Sequence, residues 1–272
     1  MSIHTVRIES SAEEYEMSVS APISSLREAT DRILEAARME EHLLPEYPLH
    51  HLRNRVSLLN YARIAQECAQ ALGNRGRILD WGCGHGQNNL LLRTAGLEVV
   101  SYDIQDWGPG YRIKDVLGVQ PVISDDRTLL PFDDATFDAV LSCGCLEHVE
   151  APAGSVREIF RVLKPGGRFF IYFLPNQLSY TEALATWRGR SDHPVKYTAR
   201  SLRRLMRGAP FKEAYCRYQN LFPKNLTGLP GFFRSFYDSH PTFVLGLESV
   251  LLKIPGLRMI SGTFEALYSK PV

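Results

Sequence analysis

The 272-residue sequence has no uninterrupted apolar run of about 18 residues, the length a helical membrane span requires. Its opening, MSIHTVRIESSAEEYEMSV, carries early acidic residues and no apolar segment of signal-peptide length, so the expectation is a soluble cytoplasmic protein. Cysteine is sparse and odd in number. Cys68, Cys83, Cys143, Cys145 and Cys216 lack scaffold spacing, which argues against a disulfide framework and fits a reducing compartment. Neither sign of charge dominates: 31 basic against 30 acidic residues leave +1, no global pull toward nucleic acid or an acidic membrane. Internal repeats, low-complexity tracts and fibrous composition are also missing. What remains, 44% hydrophobic and 22% charged residues, suffices for a full core in one large domain, or in one domain with a smaller appendage.

Two helical stretches come first. Residues 25–44 place Leu26, Ile33, Leu34 and Ala37 near one face, with Ser25 and Glu28 spaced as a capping box and Pro45 and Pro48 beyond the end. A second runs from about His51 to Leu72, with Leu52, Val56, Leu59, Arg63 and Gln66 at mixed helical spacing before Gly73. Both precede the first good strand and read as an N-terminal helical cap, assigned to residues 1–50, on a main domain of residues 51–272. The period then changes. Short apolar strands are expected at 77–80, 98–104, 121–125, 137–144 and 167–175, separated mostly by connections of crossover length. Strands rich in Val, Ile and Phe with helices between them indicate an α/β fold, a parallel sheet covered on both faces. TARSLRRLMRGAP at 198–210 reads as the helix after the fifth strand, EAYCRYQNLF as the sixth strand, and GTFEALYSK at 262–270 as a last strand returning to the same sheet after a Pro- and Gly-punctuated insertion at 221–257.

The stretch ILDWGCGHG at 78–86 follows the first strand, at the carboxyl edge where ligands bind in such sheets. Gly82, Gly84 and Gly86 allow a sharp turn and close approach of a ligand. Alone, G-x-G-x-G is weakly specific. A dinucleotide fingerprint would need a glycine where Gln87 stands, and no Gly-Lys-Ser or Gly-Lys-Thr follows to make a phosphate loop. Asp80 would repel a phosphate but can hold a cationic amino group, directly or through water. Asp103 closes the second strand, where a carboxylate can accept from both hydroxyls of a ribose. Asp126, in SDDRTLLPF, can accept from the exocyclic amine of adenine with Arg127 or Leu129 beside the ring, or can serve as a turn residue.

Together, ILDWGCGHG, the acid of SYDI, DRTLLPFDDATFDAVLSCGCLEHVE and REIFRVLKPGGRFFIY resemble the class I S-adenosylmethionine-dependent methyltransferases of the methyltransferase type 11-like kind, over about residues 50–210 with a return at 262–270. The resemblance implies a Rossmann-like sheet of seven strands, mostly parallel with the last antiparallel, and S-adenosyl-L-methionine as cofactor with S-adenosyl-L-homocysteine as product. By the same resemblance Asp80, Gly82, Cys83, Gly84 and Gly86 border the methionine part and Asp103 the ribose. Ile104 packs beside adenine, Asp126 meets the adenine amine, Arg127 follows the ring, and Cys143 stands beside the transferred methyl group. Trp81 and His85 are bulky variants within the first loop.

LEHV at 146–149 puts Glu147 and His148 after the fourth strand, so both are read as catalytic, with His148 either removing a proton from the acceptor or hydrogen-bonding the loop. CGCLEH is an incomplete set of soft metal ligands without a second cluster, and no metal site is assigned. Arg200, Arg203, Arg204 and Arg207 share a helical face that can meet an anionic acceptor or membrane surface, or simply be solvated. Nucleic acid is not expected as a partner. The aromatic-rich insertion can roof an apolar acceptor pocket, form a homodimer contact, touch a membrane peripherally to admit a lipid-linked substrate, or be covered core. The expected activity is methylation of a small-molecule acceptor, at oxygen ahead of nitrogen or carbon, with a sizeable, glycan- or lipid-linked acceptor favoured. The rival is a catalytically silent cofactor-binding or heterodimer scaffold.

Overall fold

The computed structural model describes residues 24–43, 49–105, 113–126, 128–187, 189, 193–224, 226 and 230–272. Its helices are α1 (Leu26–Leu43), α2 (Arg55–Ala71), α3 (Gln87–Thr94), the single turn α4 (Ile113–Val116), α5 (Pro152–Val162), α6 (Tyr180–Trp187), α7 (Ala199–Met206), α8 (Gly231–Ser239), α9 (Pro241–Leu251) and α10 (Pro255–Met259). Its strands are β1 (Arg77–Trp81), β2 (Glu98–Asp103), β3 (Val122–Ile123), β4 (Phe137–Cys143), β5 (Leu163–Pro175), β6 (Lys212–Gln219) and β7 (Thr263–Ser269). They form one sheet in the order β3-β2-β1-β4-β5-β7-β6. The pairings from β3 through β5 are parallel, and β7 runs antiparallel to both β5 and β6. This is the seven-stranded, mostly parallel sheet with an antiparallel last strand that the resemblance implied.

Period-2 alternation divides the core between the two faces of the sheet. Ile78, Leu141 and Phe170 turn toward α1, α2 and α3, where Ile33, Ile64 and Leu91 meet them. Leu79, Val140 and Phe169 turn the other way, onto Val156 and Ile159 of α5 and Leu202 of α7. Helix α1 is therefore bound into the same core as the sheet. Its amino end departs in detail from the expected capping box. The Glu28 amide donates to Ser25 Oγ (3.2 Å), but the Glu28 carboxylate accepts from the backbone and hydroxyl of Ser24 (2.7 and 2.9 Å). The second expected helix is split: a 3-10 turn at His50–Leu52 precedes α2, which begins where the Asn54 side chain accepts from Ser57 N. Pro45, Pro48 and Tyr47, like Tyr15, lie outside the described residues.

From Gly231 onward the insertion is largely helical. Pro241 and Pro255 sit in the first turns of α9 and α10, where a missing amide costs nothing. Glu248 of α9 is 3% exposed and fastens the segment, accepting from Phe222 N (2.7 Å) and Lys224 Nζ (2.9 Å). Val56, Leu226, Tyr237 and Val244 add a small apolar cluster against the start of α2. No helix among the described residues is long and apolar enough to cross a membrane.

Candidate functional site

The carboxyl ends of β1, β2 and β4 lie side by side, and Asp80, the glycine loop, Asp103, Cys143 and Glu147 stand on or directly after them. Gly82 and Gly84 take left-handed backbone angles (φ +72° and +51°) for different reasons. A Cβ on Gly82 would stand 2.3 Å from Cys145 Sγ, so close packing of the β4 loop excludes any side chain. A Cβ on Gly84 would meet nothing within 4 Å, which leaves open space on that side of the loop. Gly86 is the N-cap of α3, and Cys83 is buried, its thiol pushed up by burial and the nearby acids.

Asp103 organises this turn. Its Oδ2 accepts from Gly84 N (2.9 Å) and its Oδ1 from Ile104 N (2.8 Å). Ile104 is exposed beside it, as an adenine-packing residue must be before ligand binds. Asp126 Oδ1 accepts from Thr128 N and Leu129 N, both 2.8 Å, so one of its oxygens fixes the loop. Arg127 lies outside the described residues.

Asp80 is 1% exposed, and neither carboxylate oxygen has a hydrogen-bond partner. Burial first, and then the charge of Asp103, pushes its carboxyl up to about 7; the Asn88 side chain opposes the rise. His85 cannot neutralise it, because burial, His51 and Lys114 hold the imidazole down to about 3. Two buried carboxyl oxygens without partners, beside open space over Gly84, fit the ammonium and adjoining chain of an amino-acid cofactor.

At the end of β4, Cys143 is 9% exposed and the following Gly144 turns the chain (φ +67°) into a 3-10 turn at Leu146–His148. Glu147 is 2% exposed with Oε2 unpartnered, and burial pushes its carboxyl up to about 7. His148 is exposed and its ring lies 6.0 Å from that of His193. The sequence reading missed several neighbours. Tyr61 of α2 packs edge-on against Phe173 (5.0 Å between ring centroids), and its phenol is raised by burial and by Cys143, with Gln87 opposing. Phe173 itself has φ +56°, within a register shift between β5 and β7. Gln87 Oε1, Asn89 Oδ1 and Ser142 Oγ are buried without partners. The run QNN opening α3 was their visible signal: three amides at a helix start are poor core formers and good ligand contacts.

Such a sheet order, with acids closing β1 and β2 around a glycine loop, defines a Rossmann-like domain for a nucleoside-bearing ligand. The family model described as a methyltransferase domain matches residues 49–213. The chain belongs to this family, the class I S-adenosylmethionine-dependent methyltransferases. It is 38% identical over 97 residues to the demethylmenaquinone methyltransferase of Clavibacter sepedonicus, covering 35% of this chain and 40% of that protein. It is 31% identical over 133 residues to a ubiquinone biosynthesis O-methyltransferase of Xanthomonas oryzae pv. oryzae, covering 47% and 52%. The chain thus matches about half or less of the length of these relatives. A Galdieria sulphuraria structure ascribed to a sarcosine dimethylglycine methyltransferase superposes with a TM-score of 0.59 over 87% of this chain and 98% of that one, at 17% identity, a likeness of fold.

Proposed function

We propose that this protein methylates a small, apolar acceptor at oxygen, with a lipid-linked acceptor ahead of a glycan-linked one. The observation that carries the donor half is the Asp80 carboxyl, buried and partnerless on both oxygens beside the open side of Gly84. When bound, S-adenosylmethionine supplies a sulfonium-activated methyl group, so alignment and exclusion of water are the protein's main tasks. Asp80 takes the ammonium, with Gly82, Cys83, Gly84 and Gly86 along the methionine part. Asp103, held in place by the Gly84 and Ile104 amides, takes the ribose hydroxyls. Ile104 packs beside adenine, Asp126 meets its amine, and Cys143 borders the methyl group. Glu147 and His148 stand on the acceptor side and assist loss of the acceptor's hydroxyl proton.

The acceptor class rests on the insertion. Phe232 and Phe243 are 67% and 59% exposed, and Phe236, Leu247 and Val250 of α8 and α9 are exposed with them. Charged residues there are few, so the face suits an acyl or prenyl chain or the membrane that carries it. The quinone lipids in the names of the two relatives point the same way. A homodimer contact over this face is the competing occupant.

Calorimetry of the cofactor-stripped protein should give saturable micromolar binding of S-adenosylmethionine and S-adenosylhomocysteine, and none of NAD. A folded sample that binds neither defeats the donor site. With vesicle-borne phenolic acceptors, His148→Ala should lower turnover about a hundredfold while leaving S-adenosylhomocysteine affinity within about twofold. Unchanged turnover would remove His148 from the chemistry. Cofactor binding without turnover, alongside a stable copurifying partner, would favour the silent scaffold.

A further inference from the structure

The loop after β4 and the segment joining α6 to α7 bring Glu147, His148 and His193 together. One ligand-capable atom from each lies within 4.8 Å of the others. Glu147 is 2% exposed and its Oε2 has no partner, a buried carboxyl oxygen that the protein itself does not satisfy. His193 carries a second, independent mark. Its Nδ1 lies 2.9 Å from Glu182 Oε1, and the other Glu182 oxygen is 3.2 Å from Lys196 Nζ, which keeps that carboxylate ionised and fixed. An ionised carboxylate accepts from Nδ1–H and so sets the tautomer with the proton on Nδ1 and the lone pair on Nε2. That pairing orients and strengthens imidazoles that ligate metals.

A simple His193–Glu182 ion pair would account for one contact and leave Glu147 Oε2 orphaned beside two imidazoles. A cation accounts for both. We propose that Glu147, His148 and His193 form a divalent transition-metal site, with Glu182 as the positioning residue for His193. Two imidazoles and one carboxylate suit Zn²⁺ and its neighbours; Mg²⁺ favours all-oxygen shells, and the three protein ligands leave an open position. The soft ligands suggested by C-x-C-x2-H do not take part: Cys145 Sγ packs at Gly82, and neither Cys145 nor Cys143 belongs to the cluster. The use of the site rests on the methyltransferase reading. An acceptor hydroxyl at the open position would lose its proton more readily, so Glu147 and His148 would assist by ligation.

The test uses the full chain, freed of metal with a chelator and titrated with Co²⁺ and then Zn²⁺, read by visible absorption and calorimetry. The expected result is one equivalent of Co²⁺ with ligand-field bands, displaced by Zn²⁺ and unaffected by excess Mg²⁺. Glu182→Gln should weaken binding by about 10- to 100-fold and His193→Ala by more. Each variant should keep its melting temperature and its affinity for S-adenosylhomocysteine, which separates this site from the donor site. Absence of stoichiometric binding, or the same Co²⁺ affinity and spectrum in folded His193→Ala, overturns the proposal. Loss of S-adenosylhomocysteine binding in the unaltered protein would overturn the donor reading, and the Co²⁺ titration would still decide the metal site.

Discussion

At the scale of single residues, Asp80 links fold to ligand. Its carboxyl is faced by Asp103 from β2, Cys83 from the loop, Cys143 from β4 and Tyr61 from α2, with no cationic group among these neighbours. The folded value, about 7, lies above the ordinary carboxylate range. Stability from the neutral form is therefore fully present below that ordinary range and is lost as pH rises through about 7, on the order of a few kcal/mol. A cationic cofactor reverses the preference, since its ammonium binds the ionised form. Affinity for S-adenosylhomocysteine should accordingly rise about tenfold from roughly pH 6 to roughly pH 8, and Asp80→Asn should flatten the profile. Calorimetry across that range checks it; a flat profile in the unaltered protein would mean that Asp80 does not meet the ammonium. Asp80 and Asp103 were legible because each closes an apolar strand. Glu182 and His193 were not, because they meet across a polar segment whose fold no hydrophobic period records.

At the scale of elements, most strands were legible to within a few residues, because a parallel sheet covered on both faces writes continuous Val, Ile and Phe runs into the sequence; β5 begins earlier than expected, at Leu163. β3 shrank to two paired residues because its partner β2 reaches it only at Tyr102 and Asp103. The insertion was the least legible, and its prolines read as breaks when two of them start helices. Its helices α8 and α9 are held by Glu248 and by the cluster around Tyr237, yet they turn aromatic side chains outward. Covered core would not leave Phe232 and Phe243 more than half exposed. Changing both to Ser removes apolar surface from solvent, not from the interior, so the fold should be unaffected. Binding to vesicles should weaken at least tenfold, with turnover of vesicle-borne acceptor falling in step and turnover of a short-chain soluble analogue retained. Equal loss on both acceptors would place the two rings in the pocket itself, and a shift from dimer to monomer in light scattering would make the face an oligomer contact.

At the scale of the whole molecule, the proposed donor site draws on β1, β2 and β4, while Tyr61 of α2 and Phe173 of the long β5 pack on each other beside Cys143 and Asp80, so these parts must be held in register. The tie is an ion-pair network that begins within a turn of Tyr61 on the same helix. Arg63 pairs with Glu67 one turn on and reaches Glu265 of β7, while Arg217 of β6 meets both acids and the Tyr172 hydroxyl donates to Glu67. Arg63 shares the helical spacing of Leu52, Val56 and Leu59, and the wholly buried Glu265 is its partner across the sheet. The network crosses from the first half of the chain to its last strand, which sequence periodicity does not reveal. Glu265→Ala should strand two arginines at a buried surface. Loss of one partner from a buried pair costs about 3–5 kcal/mol, and the lower end applies because both arginines keep Glu67 and some solvent. For a chain of this size that lowers Tm by on the order of 10 °C. If the network also sets the cover over the cofactor, S-adenosylhomocysteine affinity measured well below that Tm should fall several-fold, although Glu265 does not touch the site. A Tm drop with unchanged affinity would confine the network to stability, and an unchanged Tm would show that the two arginines do not depend on Glu265.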